Sequence, residues 1–309
     1  MGGCPHLPSE AKLRQSRKIK LNSPPDSPYI TGMAKLRLLS ILFLAAVFMP
    51  QAKADEPLTA DAIMARVATN QDSSEKLRSQ YIYQQHVQII ARKTNGKVVR
   101  EETADYRAVP KPDHTDKTLQ QVTGRYWHKG KYEAISGEAE PETDGIDGEL
   151  IHDFREDLIN DKSKDGLARR LFPLTTGQQE NYKFHLMGQE PFEGRPCYHI
   201  AFTPKGEDET DWAGEAYIDA QEFQPMYVFT KLARRLPFGV RTFLGTDLPG
   251  VGFAVHYRRQ EDGVWFPVSL GSEFRIRALF FFNRNMTVSL ENKAFEHTHV
   301  QTKIVGATQ

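Results

Sequence analysis

The chain has 309 residues, of which 39% are apolar and 26% charged, with 40 basic and 40 acidic side chains. Eight of the basic residues but only two of the acidic ones lie before Asp55, so the part from Asp55 onward has six more acidic than basic residues. This acidic excess argues against nucleic-acid binding, which requires a basic surface. That part has about 255 residues, which is enough for one large β domain over residues 55–309.

The first predicted element is a secretory signal peptide over residues 33–54. Two basic residues precede an almost wholly apolar run, residues 38–49, and the small-x-small sequence Ala52-Lys53-Ala54 follows it. The apolar run is shorter than the ~20 residues that a membrane span needs, so cleavage before Asp55 and export from the cytoplasm are expected. An uncleaved membrane anchor is the alternative.

Residues 1–32 are rich in Lys, Arg, Ser and Pro and show no apolar period. This composition predicts a disordered extension, because it offers too little apolar surface to form a core. The simplest account of these residues is that translation begins at Met33, and a genuine extension before the signal peptide is the alternative.

After the cleavage site the pattern predicts one helix and then a long hairpin. Thr59 is a suitable N-cap for a helix over Ala60–Arg78, whose apolar residues recur at helical spacing. Aromatic and β-branched residues then alternate along Tyr81–Ile90, and Asn95-Gly96 is a strong turn sequence. Lys97–Val109 is predicted to be the returning strand.

The remainder of the chain is predicted to be mostly β. A hairpin is expected over Gly124–Ile135 and a loop over Ser136–Gly148, and helical spacing runs through Leu150–Leu171 with a break at Lys162–Gly166. Strands are expected at about 182–188, 195–204, 214–219, 225–233, 251–260, 264–269, 272–282 and 286–296, with a turn at Asn283-Arg284-Asn285. Hairpin-linked strands with two inserted helical segments predict a strongly curved antiparallel sheet with helices on one side or plugging a half barrel.

The sequence contains no motif typical of an enzyme or a metal site. Gly-x-Ser-x-Gly and His-Glu-x-x-His are both absent from it. His297 and His299 are the closest to a metal pair, but no third ligand accompanies them. Adjacent Glu101 and Glu102 on a strand point to opposite faces and cannot act as an acid pair. No catalytic residue, metal or cofactor is therefore predicted.

The cysteine count excludes an internal disulfide in the exported form. Cys4 precedes the cleavage site, so Cys197 would be the one cysteine after export. Cys197 lies in a predicted strand, and we interpret it as a buried core residue.

Aromatic residues at strand periodicity are the abundant feature. An ordinary core accounts for part of them, and a concave apolar cavity that binds a lipid or acyl chain accounts for the others. The sequence does not divide them between the two roles. The strand residues chosen as ligand-binding candidates are Tyr83, Phe202, Tyr217, Phe229, Phe253 and Trp265.

A second set of candidates lies in the segment between two predicted strands, residues 234–253. It mixes Gly and Pro with large apolar residues that would be a liability if left exposed. Either the segment folds over the sheet, or it is an apolar lip at a ligand site. In the second case Phe238, Phe243 and Leu244 face an acyl chain, and Arg234, Arg235 or Arg241 lie near a phosphate head group.

The exported part resembles the LolA-like family of periplasmic outer-membrane lipoprotein-sorting proteins. The resemblance lies in the opening helix, the hairpin from Tyr81, and the blocks 194–205, 212–219, 224–228 and 263–267. It implies an α+β fold, an unclosed, strongly curved antiparallel β-barrel (half barrel) with helices covering its concave face and an apolar cavity for acyl chains. The Arg-Pro-x-x-Phe segment of such proteins has no matching phenylalanine at Tyr106–Pro110, so no site residue is carried over.

These features together predict a periplasmic, monomeric, non-enzymatic carrier or binder of lipids or lipoprotein acyl chains, with a role in outer-membrane lipoprotein sorting. Inner- and outer-membrane envelope proteins are the expected partners. Two other hypotheses stay open: an exported hydrolase with an unrecognised site, and a structural envelope-assembly module without a ligand.

Overall fold

A computed structural model describes residues 57–111, 114–159, 172–206, 212–232, 251–278 and 281–298. The predicted signal peptide, the residues before it and the segment 233–250 lie outside these ranges. The helices are α1 (Ala60–Arg78), α2 (Gly145–Ile159) and α3 (Thr176–Gln179). The strands are β1 (Tyr81–Arg92), β2 (Val98–Pro110), β3 (Thr115–His128), β4 (Lys131–Gly137), β5 (Tyr182–Phe192), β6 (Arg195–Pro204), β7 (Trp212–Asp219), β8 (Pro225–Leu232), β9 (Gly252–Arg259), β10 (Trp265–Ala278) and β11 (Phe282–His297).

All 11 strands belong to one antiparallel sheet in the order β4-β3-β2-β1-β11-β10-β9-β8-β7-β6-β5. Most neighbours in space are neighbours in the chain, and the exception is the pairing of β1 with β11. β4 and β5 form the two edges, so the sheet is not closed. This confirms the prediction of a large, unclosed antiparallel sheet.

The register gives the sheet two unlike faces. Val87 lies between Ala104 and Leu290 on the neighbouring strands, and all three are buried. The same face continues through Leu270 and Val255 to the far strands. We call it the buried face, and we call the opposite side, which is intermediate or exposed at most positions, the open face.

Helix α1 has the predicted bounds, and the Thr59 side chain accepts a hydrogen bond from the Ala62 N–H at 3.2 Å, as an N-cap does. Buried polar groups attach the helix to the sheet. Gln71 Nε2 donates a hydrogen bond to Gln224 Oε1 at 2.5 Å, and Gln224 Nε2 donates one to the Ser74 hydroxyl at 3.1 Å. These bonds join the helix to the turn between β7 and β8.

Helix α2 contacts β1 and β2 through charged as well as apolar side chains. The Arg155 guanidinium donates to the Glu102 carboxylate at 2.5 Å, and both side chains are almost fully buried. The Phe154 and Phe274 rings lie 5.1 Å apart. Arg284 also donates to both carboxylate oxygens of Asp147, at 2.6 and 2.8 Å.

Several predicted boundaries are wrong. α2 begins at Gly145, inside the predicted loop 136–148, and β5 continues to Phe192, four residues past its predicted end. β3 begins at Thr115, nine residues before the predicted hairpin. The prediction missed these nine residues because most of their side chains are exposed and show no apolar period. β10 runs unbroken through Gly271, where a gap between two strands was predicted. The predicted turn at 283–285 lies within β11, since Asn285 pairs with both Arg92 and Arg275.

The Cys197 side chain is fully buried, which confirms its interpretation as a core residue. Burial raises the pKa of its thiol, and this keeps the thiol protonated and unreactive. Within the ranges that the structure describes, no helix combines the length and apolar character needed to cross a bilayer.

Candidate binding site

The register divides the predicted strand aromatics between the two faces. Phe202 and Phe253 lie on the buried face, opposite Gly214 and Thr230 of the adjoining strands, and Phe202 is only 1% exposed. Tyr83 and Trp265 are also buried. Tyr217 and Phe229 instead lie on the open face. The six candidates of the segment 234–253 that are not strand residues, Arg234, Arg235, Phe238, Arg241, Phe243 and Leu244, lie outside the described residues.

The open face carries a row of contacting aromatic and histidine rings across β5 to β9. The Phe192 ring lies 4.5 Å from Tyr217 and 5.6 Å from Tyr227, which is 4.7 Å from His256. His199 stacks on Tyr217 at 4.5 Å. Burial raises the pKa of both tyrosines, so these phenols stay protonated at neutral pH. Sequence analysis missed the two histidines and Phe192, because only the pairing of different strands brings them to Tyr217 and Tyr227.

Next to this row lies a depression of about 560 Å³ with a mostly apolar surface, which we call the apolar depression. Phe229 and Tyr227 form one side, and Phe229 is 37% exposed. Ala254 and Gly271 lie directly across successive strands from Phe229. Because both residues are small, the surface of the sheet is recessed at this point. A Cβ atom added at Gly271 would have no neighbour within 4 Å.

A second depression of about 570 Å³ adjoins the first, and the two share Glu273 and Thr287. We call it the basic depression because Arg92, Arg275 and Arg277 line it. Arg92 Nη1 donates to the Thr287 hydroxyl at 2.8 Å. Arg275 Nε donates to the Asn285 side-chain oxygen at 3.0 Å.

The segment 233–250 leaves and rejoins the sheet at the edge of the apolar depression. The Leu232 N–H donates to the Val251 carbonyl at 3.1 Å, which holds the two ends of the segment together. Gly252, the next residue, lines the depression. Sequence analysis left two alternatives for this segment, a cover over the sheet or a lip at a ligand site, and the segment's own residues lie outside the described ranges.

His297 and His299 were the closest to a metal pair in the sequence, although no metal site was predicted there. The His297 ring packs against Tyr81 at 4.8 Å, and His299 lies outside the described ranges. Across the part of the chain that the structure describes, no group of three or more His, Cys, Asp or Glu side chains is arranged to hold a metal ion.

The sequence matches no protein-family model and no curated protein. Its structural neighbours are DUF1329 and LolA-superfamily proteins. A DUF1329 family protein from Desulfovibrio piger is 11% identical with a TM-score of 0.38, and the match covers 82% of this chain and 96% of that one. A domain assigned to outer membrane lipoprotein sorting, from Vibrio parahaemolyticus, is 9% identical with a TM-score of 0.37 and coverages of 79% and 95%. A LolA superfamily protein from Nitrosomonas europaea is 14% identical with a TM-score of 0.35 and coverages of 81% and 99%.

Proposed function

We propose that this protein is an exported, non-enzymatic carrier or binder of lipids or lipoprotein acyl chains, and that it acts in outer-membrane lipoprotein sorting. The apolar depression is the observation that carries the proposal. A volume of about 560 Å³ suits a small amphiphile, and its mostly apolar surface is open to solvent. Covering such a surface with an acyl chain is favourable by roughly 25 cal/mol for each Å² removed from water.

The proposal assigns different roles to the two faces. Tyr83, Phe202, Phe253 and Trp265 are nearly free of solvent and packed among protein side chains, so we assign them to stability. We propose that the buried face is the concave side of the sheet and that α1 and α2 cover it. The acyl chain then lies on the open face, against Phe229.

Filling the apolar depression should block binding without damage to the fold. We expect Gly271→Phe to weaken binding of a fluorescent monoacylglycerol, an uncharged lipid, by about tenfold or more, because the new ring occupies the space of the acyl chain. The melting temperature should not fall, because the new Cβ has room and phenylalanine suits a strand better than glycine. Fluorescence polarisation and thermal melting give the two readouts.

Gly188→Phe is the matched control. Gly188 lies on edge strand β5, where an added Cβ also has no neighbour within 4 Å, and it lines neither depression. This variant should bind the lipid as the parent does. Equal binding by the parent and Gly271→Phe would exclude the apolar depression as the site.

The segment 233–250 provides an independent prediction. Replacing Phe243 and Leu244 together with serine should weaken monoacylglycerol binding more than it lowers the melting temperature, because we propose that both side chains face the acyl chain. If the segment only covers the core, the change removes buried apolar area and mainly destabilises the protein. Leu77→Ser with Met187→Ser, at two exposed apolar positions, is the control. A large fall in melting temperature with unaltered affinity would contradict this role.

A further inference from the structure

We infer that the lipid bound on the open face carries a phosphate head group, which binds in the basic depression while the acyl chain lies in the apolar depression. This inference rests on the proposed function and specifies its ligand. The apolar depression alone would accept any acyl chain, whereas the adjoining arginines distinguish one head group from another.

The two depressions form a continuous surface at a spacing that suits one amphiphile. Glu273 and Thr287, which pair across β10 and β11, line both of them. Gly271 and Arg275 are four residues apart on the same face of β10, which corresponds to about 13 Å. A single-chain lipid spans this distance between its phosphate and the middle of its acyl chain.

Within the described residues, carboxylates do not balance the positive charge of the basic depression. Three arginines face one carboxylate, that of Glu273, and in the described ranges no carboxylate forms an ion pair with any of the three. Two partly buried arginines elsewhere on the sheet do form ion pairs with carboxylates, Arg195 with Asp219 and Arg284 with Asp147.

The hydrogen bonds of the arginines leave donors available. Arg92 and Arg275 each donate to a neutral oxygen, which orients the guanidinium without cancelling its charge. Guanidinium groups match the geometry of phosphate oxygens and bind them with charge-assisted hydrogen bonds. A nucleic acid fits poorly, because the chain from Asp55 onward is acidic and the adjoining depression is apolar.

The test compares two lipids with the same acyl chain, lysophosphatidylglycerol and monoacylglycerol, by titration calorimetry below their micellar concentrations. The parent should bind the anionic lipid about tenfold more tightly, and added salt should reduce this preference. Arg275→Gln with Arg277→Gln should lower the affinity for lysophosphatidylglycerol to that for monoacylglycerol, and leave the latter unchanged. Arg107→Gln with Lys183→Gln removes two exposed charges outside both depressions and should preserve the preference.

The outcomes separate the inference from the proposed function. Equal affinities for the two lipids would overturn the inference and leave the acyl-chain site intact. An equal loss in the Arg107/Lys183 variant would also overturn it, since the preference would then reflect overall charge. Binding of glycerol phosphate alone, with neither lipid bound, would overturn both, because the arginines would then form a site for free phosphate.

Discussion

Glu102→Gln is expected to lower the free energy of unfolding by about 3 kcal/mol, because buried Arg100 loses its negative partner and buried Arg155 retains only the half-exposed Glu140. Glu102 is 4% exposed and accepts hydrogen bonds from Arg100 Nε at 2.6 Å and Arg155 Nη1 at 2.5 Å. Arg155 lies on α2 and Arg100 on β2, so the carboxylate joins a helix to the sheet. Glutamine retains the size of the side chain but not its charge.

Glu101→Gln is the matched control for this change. Glu101 is the preceding residue on β2, points to the open face and is 31% exposed, with its carboxylate 2.7 Å from Arg125. A partly solvated pair of this kind contributes at most about 1 kcal/mol. Urea unfolding followed by circular dichroism measures both variants. Similar losses of unfolding free energy in the two variants would contradict the prediction that burial strengthens the ion pairs of Glu102.

Asp219→Asn is expected to destabilise the protein by about 2 kcal/mol and to reduce its sensitivity to acid. Asp219 is fully buried at the end of β7. Its carboxylate accepts hydrogen bonds from Arg195 Nε at 2.5 Å and from the backbone N–H groups of Gln221 and Glu222 at 2.9 and 2.7 Å. These bonds fix the turn that contacts α1, so their loss also weakens the attachment of that helix.

The direction of the pH effect follows from the pKa of Asp219. Burial by itself raises this pKa, but the hydrogen bonds from Arg195 and the two N–H groups outweigh burial, and the pKa in the folded protein is lowered. Glu222 behaves in the same way, with Trp265, Arg259 and Arg195 as donors. A carboxyl with a lowered folded pKa contributes its full stability above its unfolded pKa, about 4, and loses it as the pH falls further.

The measurement is the free energy of unfolding of the parent and of Asp219→Asn between about pH 6 and pH 2. The parent should lose stability below about pH 4, and the variant should show a smaller slope there, because it lacks one of the carboxyls whose pKa is lowered by folding. Asp153→Asn, at an exposed position of α2, should retain the slope of the parent. Identical slopes in the parent and Asp219→Asn would show that Asp219 does not contribute to acid unfolding.

The sequence by itself determined those elements that depend on residues close together in the chain. The cap at Thr59 and the apolar spacing after it were enough for both ends of α1. Asn95-Gly96 indicated the β1–β2 hairpin, and Gly96 has the positive φ of 84° that such a turn requires. Alternation along β2 correctly separated Glu101 from Glu102. Where the apolar period is absent, as in the exposed first half of β3, the residue pattern did not indicate a strand.

Only the tertiary structure decided what lies beside what. The faces of Phe202 and Phe229 follow from the register of β6 to β9, and a shift of one residue would exchange them. One of the two partners of Glu102, Arg155, comes from α2. Arg92 and Arg275 are far apart in the chain but line the same depression, because β11 pairs with both β1 and β10. Sequence patterns report the period of one segment, whereas the candidate site depends on pairings between distant strands.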